Sequence, residues 1–393
     1  MSMAQNRTIL VIHQSADLYG SDKSLFSLLG ALANSEYQLI VCLPVYGPLV
    51  EDLKKVNIEV QILPLLKVGR HTLTNLWRFW KLPSILANSL NGIDKVVGNR
   101  KIDLVYTNTI AVLAGAYWAK RRRVAHIWHV REIISKPIFV SQAFVFLTKY
   151  FSTKLICNSD NTRQWIDPSA QKRSVTVWNG VETILDGSID TAKQYAARNR
   201  FEVTDGEVVV LMAGRINSWK GQDLLLEALE HIPLEIRKFI RVLIVGSSPS
   251  GQPHHTEKLK RLINNSTIKD KIIFHEFNRD LDDYYLAADI LIVPSKLPEP
   301  FGRVAIEAMA FSLPVIAAKH GGLLEIIEDE QTGLLFEPNN CVALSKAILS
   351  LIHDPAKRKH LGKAGQLRQS QLFSVDTYVQ KIKDIFDETI KCS

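Results

Sequence analysis

Short apolar runs alternate with amphipathic stretches along almost the whole chain. Residues 8–13 form a largely apolar run of strand length, followed by a polar loop with Gly20 and Ser21 and a helical pattern over 23–32. Similar runs recur at 38–43, 59–63, 102–106, 124–128 and 154–157, with helical patterns between them, notably at 73–90 and 111–120. Val175 to Trp178, closing on Asn179 and Gly180, reads as the last strand of this series. A second series starts at 207–212 and continues at 242–245, 272–277, 287–294 and 314–317, with helices expected over 342–352, 355–372 and 375–390. Strands of this kind, separated by helices, describe parallel sheets buried on both faces.

The pattern predicts an α/β protein built twice over. With 393 residues the chain exceeds the usual reach of one core. Residues 183–205 turn polar, with Asp186-Gly187-Ser188 ahead of a short helical piece at 191–200, so the boundary is placed there. The expected division is a first doubly wound domain over 1–182, a linker over 183–205, a second domain over 206–372 and a terminal helix over 373–393. In such sheets ligands bind outside the carboxyl ends of the strands.

One stretch concentrates the chemistry. After the apolar run at 287–294 comes a loop with Pro298, Glu299, Pro300, Phe301 and Gly302, and then a helical pattern in which Val304, Ala308 and Phe311 share a face beside Ala305 and Met309. Phe301, Gly302 and Arg303 therefore stand at a helix N-terminus, where open amides and the helix dipole favour an anion. Glu299 and Glu307 flank that point, and a carboxylate beside a phosphate needs another partner on the ligand. Hydroxyl groups are the obvious one, which points to a nucleotide-sugar: diphosphate on the amides, Glu307 on ribose hydroxyls, Glu299 near the sugar. The bland alternative is that Glu307 caps its own helix and Glu299 is a solvated loop residue.

Other strand ends add to this. Gly214, Arg215 and Lys220 follow the run at 207–212, and two cations five residues apart can clamp a diphosphate, Arg215 as a fork and Lys220 as a point charge. Two surface cations in a loop are the alternative. Gly321 and Gly322 turn into a helix whose amides could meet the donor, while 246–251 forms a loop long enough to cover a ligand. His129, after the run at 124–128, is a candidate for a sugar hydroxyl, or a structural histidine. Asp280 and Asp282 have a spacing that binds metal elsewhere, but they open a helix carrying Leu281, Tyr284, Tyr285 and Ala288, which capping explains better.

Glu-Pro-Phe-Gly at 299–302 with Glu307-Ala308-Met309-Ala310, then Gly321-Gly322-Leu323-Leu324-Glu325 and Thr332-Gly333-Leu334-Leu335-Phe336, resembles the signature of retaining glycosyltransferases of family 4. Gly214-Arg215 with Lys220-Gly221, and Asn179-Gly180-Val181, resemble further segments of that family. The resemblance implies the GT-B fold, two Rossmann-like domains with parallel sheets facing a cleft, with the last helix returning to the first domain. It implies that Arg215 and Lys220 stabilise the leaving diphosphate, that His129 lines the donor pocket, and that the base is read largely through backbone groups. It also implies same-face attack with retention, the leaving phosphate taking the acceptor proton. Gly20 occupies the family's Gly-Gly loop, with Ser21 in place of a second glycine.

Charge and cysteine usage set the surroundings. The net charge of +8 gathers partly in Lys120-Arg121-Arg122-Arg123 beside Tyr117 and Trp118, and in Lys67, Arg70, Arg78 and Lys81 among Trp77, Phe79 and Trp80. Such stretches suit an anionic membrane surface, nucleic acid, or a solvated basic helix end. Cys42, Cys157, Cys341 and Cys392 have no paired spacing, which argues against a zinc site and a disulfide framework and for a reducing compartment. The apolar run at 137–151 is broken by Ser141, Gln142, Thr148 and Lys149, and the N-terminal apolar run is too short for a signal peptide. No Gly-x-Gly-x-x-Gly fingerprint is present, which disfavours a nicotinamide dehydrogenase.

The expectation is a cytoplasmic enzyme, at the inner membrane face if the basic stretches meet lipid. It would move a sugar, without a metal or other cofactor, from a nucleotide diphosphate donor to a glycan or polyprenol-linked glycan, with no nucleic-acid partner. The rivals are a nucleotide-sugar epimerase of the same plan, a non-catalytic protein that binds a nucleotide-sugar or a partner, and a nucleic-acid binder using the basic aromatic stretches, whose binding would fall steeply with salt.

Overall fold

The computed structural model describes residues 7–68, 81–134, 137–183, 190–249 and 251–392. Arg70, Trp77, Arg78, Phe79 and Trp80, and likewise Asp186-Gly187-Ser188, lie outside the described residues. The chain divides into two compact units, Met1–Gly180 with Val375–Ser393, and Val181–Ser374.

In the first unit β1 (Arg7–Ile12), β2 (Tyr37–Leu43), β3 (Glu59–Ile62), β4 (Leu104–Thr107), β5 (Ala125–Val130), β6 (Lys154–Cys157) and β7 (Ser174–Thr176) form a sheet in the order β3-β2-β1-β4-β5-β6-β7. Every pairing is parallel. The order reverses between β1 and β4, which puts a topological switch point at their carboxyl ends. Leu10, Val11 and Ile12 of β1 are fully buried, as expected of a central parallel strand. The helix Val375–Lys391 completes this unit: Tyr378, Ile382, Ile385 and Phe386 join the core formed by Ile9, Val11, Leu25, Leu39 and Tyr106.

The second unit repeats the plan with β8 (Val208–Ala213), β9 (Ile240–Val245), β10 (Ile272–His275), β11 (Ile290–Val293), β12 (Val315–Ala318) and β13 (Gly333–Phe336), in the order β10-β9-β8-β11-β12-β13. All pairings are again parallel. Here the switch point falls between β8 and β11. Both units are thus doubly wound Rossmann-like α/β layers.

Several elements differ from the sequence reading, each for a physical reason. β5 runs on through His129 to Val130, because His129 finds a hydrogen-bond partner inside the sheet rather than solvent. β13 is a strand that the motif match alone did not mark. Thr191–Arg200, placed in the linker, is a helix of the second unit: Arg198 reaches the carbonyl of Ala287 at 3.1 Å and Asp289 at 3.0 Å. The run at 137–151 forms the helix Ile138–Phe151, with Val140, Phe144 and Thr148 buried and Ile138, Phe139, Phe146 and Tyr150 exposed. Among the described residues no helix is long and apolar enough to cross a membrane. The basic cluster is partly neutralised from within: Arg121 and Arg122 both pair with Asp94, and Trp118 is buried with its indole N–H on the same carboxylate.

Phe386 is fully buried, with its ring edge-on to Tyr37 at 6.2 Å and to Tyr106 at 5.1 Å. Phe386→Ala is expected to destabilise the first unit by about 3–5 kcal/mol in denaturant unfolding, the usual cost of an aromatic cavity. A loss under about 1 kcal/mol would mean that the terminal helix is not part of this core.

Candidate functional site

The second unit builds its site from the two loops that flank its switch point. β8 ends at Ala213 and the chain turns through Gly214. Asn217 accepts hydrogen bonds through Oδ1 from the amides of Trp219 at 3.1 Å and Lys220 at 3.0 Å, and this local turn presents Lys220. The Lys220 ammonium lies over the Trp219 ring, 4.7 Å from its centroid. β11 ends at Val293, and Pro294 and Ser295 lead into the segment carrying Glu299.

The loops meet where Lys220 Nζ donates to Glu299 Oε1 at 2.6 Å. Ser295 Oγ donates to the same oxygen at 2.5 Å. The Glu299 side chain is only 6% exposed, so it is no solvated loop residue. Its backbone is gripped as well, its carbonyl accepting from Gly322 N at 2.8 Å. His320 Nε2 lies 2.7 Å from the carbonyl of Ser295. A carbonyl only accepts, so Nε2 carries a proton, and the buried Nδ1 has no hydrogen-bond partner among the described residues. Ser295, His320, Asn217 and Trp219 escaped selection in the sequence because none belongs to a recognisable spacing.

Beyond Glu299, the Phe301 side chain is buried and packs edge-on against Phe373 at 6.1 Å. Gly302 is the N-cap of the helix Arg303–Ala310 with φ +114°, where a side chain would be strained, and a Cβ would come 2.6 Å from Leu323 Cδ2. The buried face of the helix is Ala305, Ile306, Ala308, Met309 and Ala310, so Val304 and Phe311 lie at its margin and Ile306 was missed. Glu307 does not cap the helix. It accepts from Arg303 Nε at 2.7 Å and from the Tyr285 hydroxyl at 2.9 Å, with Tyr285 stacked on Phe311. Arg303 therefore folds back along its own helix instead of reaching forward from the N-terminus. Arg215 is exposed on the loop of Lys220, its carbonyl accepting from Gln222 Nε2 at 3.0 Å. Gly214 follows β8 directly, and Gly321 and Gly322 lead into the short helix Leu323–Ile326.

Lys220, Glu299, Gly302 and Glu307, with Arg215, Gly214, Phe301, Arg303, Gly321 and Gly322, thus gather at the carboxyl edge of one sheet. His129 and Gly20 belong to the first unit. His129 is fully buried in β5, its Nδ1 2.6 Å from the Tyr106 hydroxyl and its Nε2 without a hydrogen-bond partner among the described residues. Burial, and then the neighbouring Arg131 charge, push its pKa well below the usual imidazole value, so the ring is neutral. Arg131 is itself enclosed by Asn108 at 2.8 Å, Asn179 at 2.5 Å and the Tyr378 hydroxyl at 2.7 Å. Gly20 opens the helix Gly20–Leu32, but the loop before it is closed by a side chain: Asp22 accepts from the amides of Asp17 at 2.9 Å and Leu18 at 3.0 Å. Those amides are therefore already taken. His13 Nε2, Ser15 Oγ and Ser21 Oγ converge on the other Asp22 oxygen. Asp280 accepts from the amide of Asp282 at 2.9 Å, a local turn ahead of the helix Asp282–Ala287.

Residues 194–368 match the family model of glycosyl transferases, group 1. Over 204 residues the chain is 33% identical to a D-inositol 3-phosphate glycosyltransferase of Xylanimonas cellulosilytica, covering 51% of this chain and 47% of that protein. The match therefore spans about half the length of that relative. An uncharacterized glycosyltransferase of Methanocaldococcus jannaschii is 27% identical over 329 residues, covering 81% of this chain and 84% of that one. Among solved structures, Anabaena HepE, in complex with UDP and glucose, superposes with a TM-score of 0.82 at 25% identity, over 96% of this chain and 99% of that one. The two units are those of the GT-B fold. The group 1 segment contains all of the second-unit site residues named above.

Two outcomes follow from the geometry. At Gly321, φ is +62° and a Cβ would stand 2.5 Å from the Glu299 carbonyl oxygen and 2.7 Å from its nitrogen, whereas Gly206, with φ +83°, has nothing within 4 Å. Gly206→Ala is expected to cost about 1 kcal/mol of backbone strain in denaturant unfolding, and Gly321→Ala measurably more; equal costs would mean that Gly321 is not pressed against Glu299. Asp22 behaves differently: burial alone would raise its pKa, but the His13 hydrogen bond and charge, with Ser15 and Ser21, bring it from 3.8 down to about 2. A depressed carboxyl contributes stability that is present above its unfolded value and lost as pH falls toward 2, here about 2 kcal/mol. In acid titrations monitored by circular dichroism, Asp22→Asn should remove this component between about pH 5 and 2. An unchanged acid limb would contradict the assignment.

Proposed function

We propose that the protein is a retaining glycosyltransferase that takes a sugar from a nucleoside diphosphate donor, UDP-linked, and passes it to a hydroxyl of a glycan or lipid-linked glycan without a metal. The observation that carries this reading is the enclosed Lys220–Glu299 pair between the β8 and β11 loops, beside the helix start at Gly302. Anabaena HepE supports the choice of nucleotide, being known in complex with UDP and glucose, with UDP and with UDP-glucose.

In this reading the first-turn amides after Gly302, with Lys220 and Arg215, balance the charge that grows on the departing diphosphate. Glu307, held by Tyr285 and Arg303, takes the ribose hydroxyls. Glu299, oriented by Ser295 and Lys220, takes sugar hydroxyls, and Gly321 and Gly322 line the same edge. The bond from the anomeric carbon to the phosphate oxygen breaks, the acceptor oxygen bonds the same face, and its proton passes to the leaving phosphate. Gly20 and His129 carry no step here. A peripheral membrane contact fits the exposed Phe139, Phe146 and Tyr150 of the helix Ile138–Phe151 better than the Asp94-paired arginines.

Thermal shift with UDP-, GDP-, ADP- and dTDP-sugars in the presence of a chelator tests the reading. A ligand at a hundred times its Kd adds about 2.7 kcal/mol to the folded state. UDP-sugars are expected to raise Tm in the parent protein, with the shift lost in Lys220→Ala and reduced in Glu307→Gln. No shift with any nucleotide-sugar, or a shift that both variants keep, would overturn the site.

A further inference from the structure

Glu227 and His231 are close in the sequence, but Cys341 lies far from both, and no short Cys spacing marks it. The fold brings them together on the surface of the second unit. The helix Gln222–Glu230 carries Glu227 near its C-terminal end and is followed by His231 at the C-cap, four residues on and so on the same face. The helix Cys341–His353 packs against it and opens with Cys341. One carboxylate oxygen, one imidazole nitrogen and the thiol sulfur lie within 4.8 Å of one another.

The spacing suits one ion. Cys341 Sγ is 3.4 Å from Glu227 Oε1. Sulfur and oxygen ligands at usual zinc distances, about 2.3 and 2.0 Å, stand about 3.5 Å apart across a tetrahedral edge. The backbones that carry the ligands are anchored: Leu225, Ala228 and Leu229 are buried beneath the first helix, and Asn340 caps the second through Ala343 N at 2.9 Å. Three different donor types on two packed elements differ from an acidic surface cluster. A thiolate and an imidazole are poor ligands for calcium or magnesium and good ones for zinc-like ions. Glu227 and His231 are exposed and Cys341 half-buried, so water can complete a fourth position.

We propose that Glu227, His231 and Cys341 form a site for a divalent transition-metal ion of the zinc class, tying the end of the helix Gln222–Glu230 to the start of the helix Cys341–His353. On binding, the Cys341 sulfur exchanges its proton for the metal, the proton passes to solvent, and no electron is transferred. The ion stabilises the second unit and stands apart from the transfer chemistry, so this inference does not depend on the proposed donor.

Cobalt(II) provides a direct probe, used on the full chain carrying Cys392→Ser to remove the exposed C-terminal thiol. The expected result is one equivalent bound, with the visible bands of a tetrahedral ion and a near-ultraviolet thiolate-to-cobalt band, both abolished by zinc competition. Cys341→Ser should remove the thiolate band, and His231→Ala and Glu227→Gln should each weaken binding at least about tenfold. Zinc should raise Tm in the Cys392→Ser protein and not in the additional Cys341→Ser variant. No thiolate band, a band that survives Cys341→Ser, or cobalt binding that His231→Ala and Glu227→Gln leave unchanged would overturn the proposal.

Discussion

Lys220 and Glu299 neutralise each other at 2.6 Å with side chains 19% and 6% exposed, and the arrangement of the second unit follows from keeping both charges satisfied there. Removing one partner of such a pair leaves an enclosed charge, which typically costs about 3–5 kcal/mol. The pair therefore has to be held from both sides. Asn217 and Trp219 hold the lysine, while Ser295 and the amide of Gly322 hold the glutamate. The result is a cation and a carboxylate pre-positioned at the switch point of a parallel sheet, where a ligand can replace protein contacts without reorganising the chain.

The first unit solves the corresponding problem differently. At its own switch point the loop after β1 is closed by Asp22, and the buried Arg131 is held by neutral oxygens of Asn108, Asn179 and Tyr378. Tyr378 comes from the terminal helix, so the end of the chain completes the hydrogen bonding of a strand-end arginine as well as the apolar core. Two sheets of the same plan thus carry different chemistry: one edge sets a helix start beside an ion pair, and the other is filled by its own side chains.

Much of this is legible in the amino-acid sequence. Continuous apolar runs separated by helical patterns mark parallel strands strongly, and the stretch from Pro298 to Ala310 announces a strand end, a turn and a helix start by residue type alone. What escaped was long-range or locally ambiguous. His129 is polar in the last turns of an apolar run, so it looked like a strand end, whereas Tyr106 supplies the partner that lets the strand continue. Tyr285 is an ordinary helix-face aromatic until Glu307, 22 residues later, accepts its hydroxyl. His320 and Ser295 meet only because β11 and β12 are neighbours. Cys341 has no cysteine partner in the sequence, and its neighbours Glu227 and His231 are set by helix packing.

Hydrogen–deuterium exchange on the full chain, with and without a UDP-sugar, tests the central claim most directly, because it reads backbone amides without requiring turnover. The account predicts slowed exchange in the second unit over 214–221, at 302–304 and over 321–323, with the opposite edge of that sheet unchanged. Bound nucleotide-sugar with no protection at 302–304, or protection centred away from the β8 and β11 loops, would contradict it.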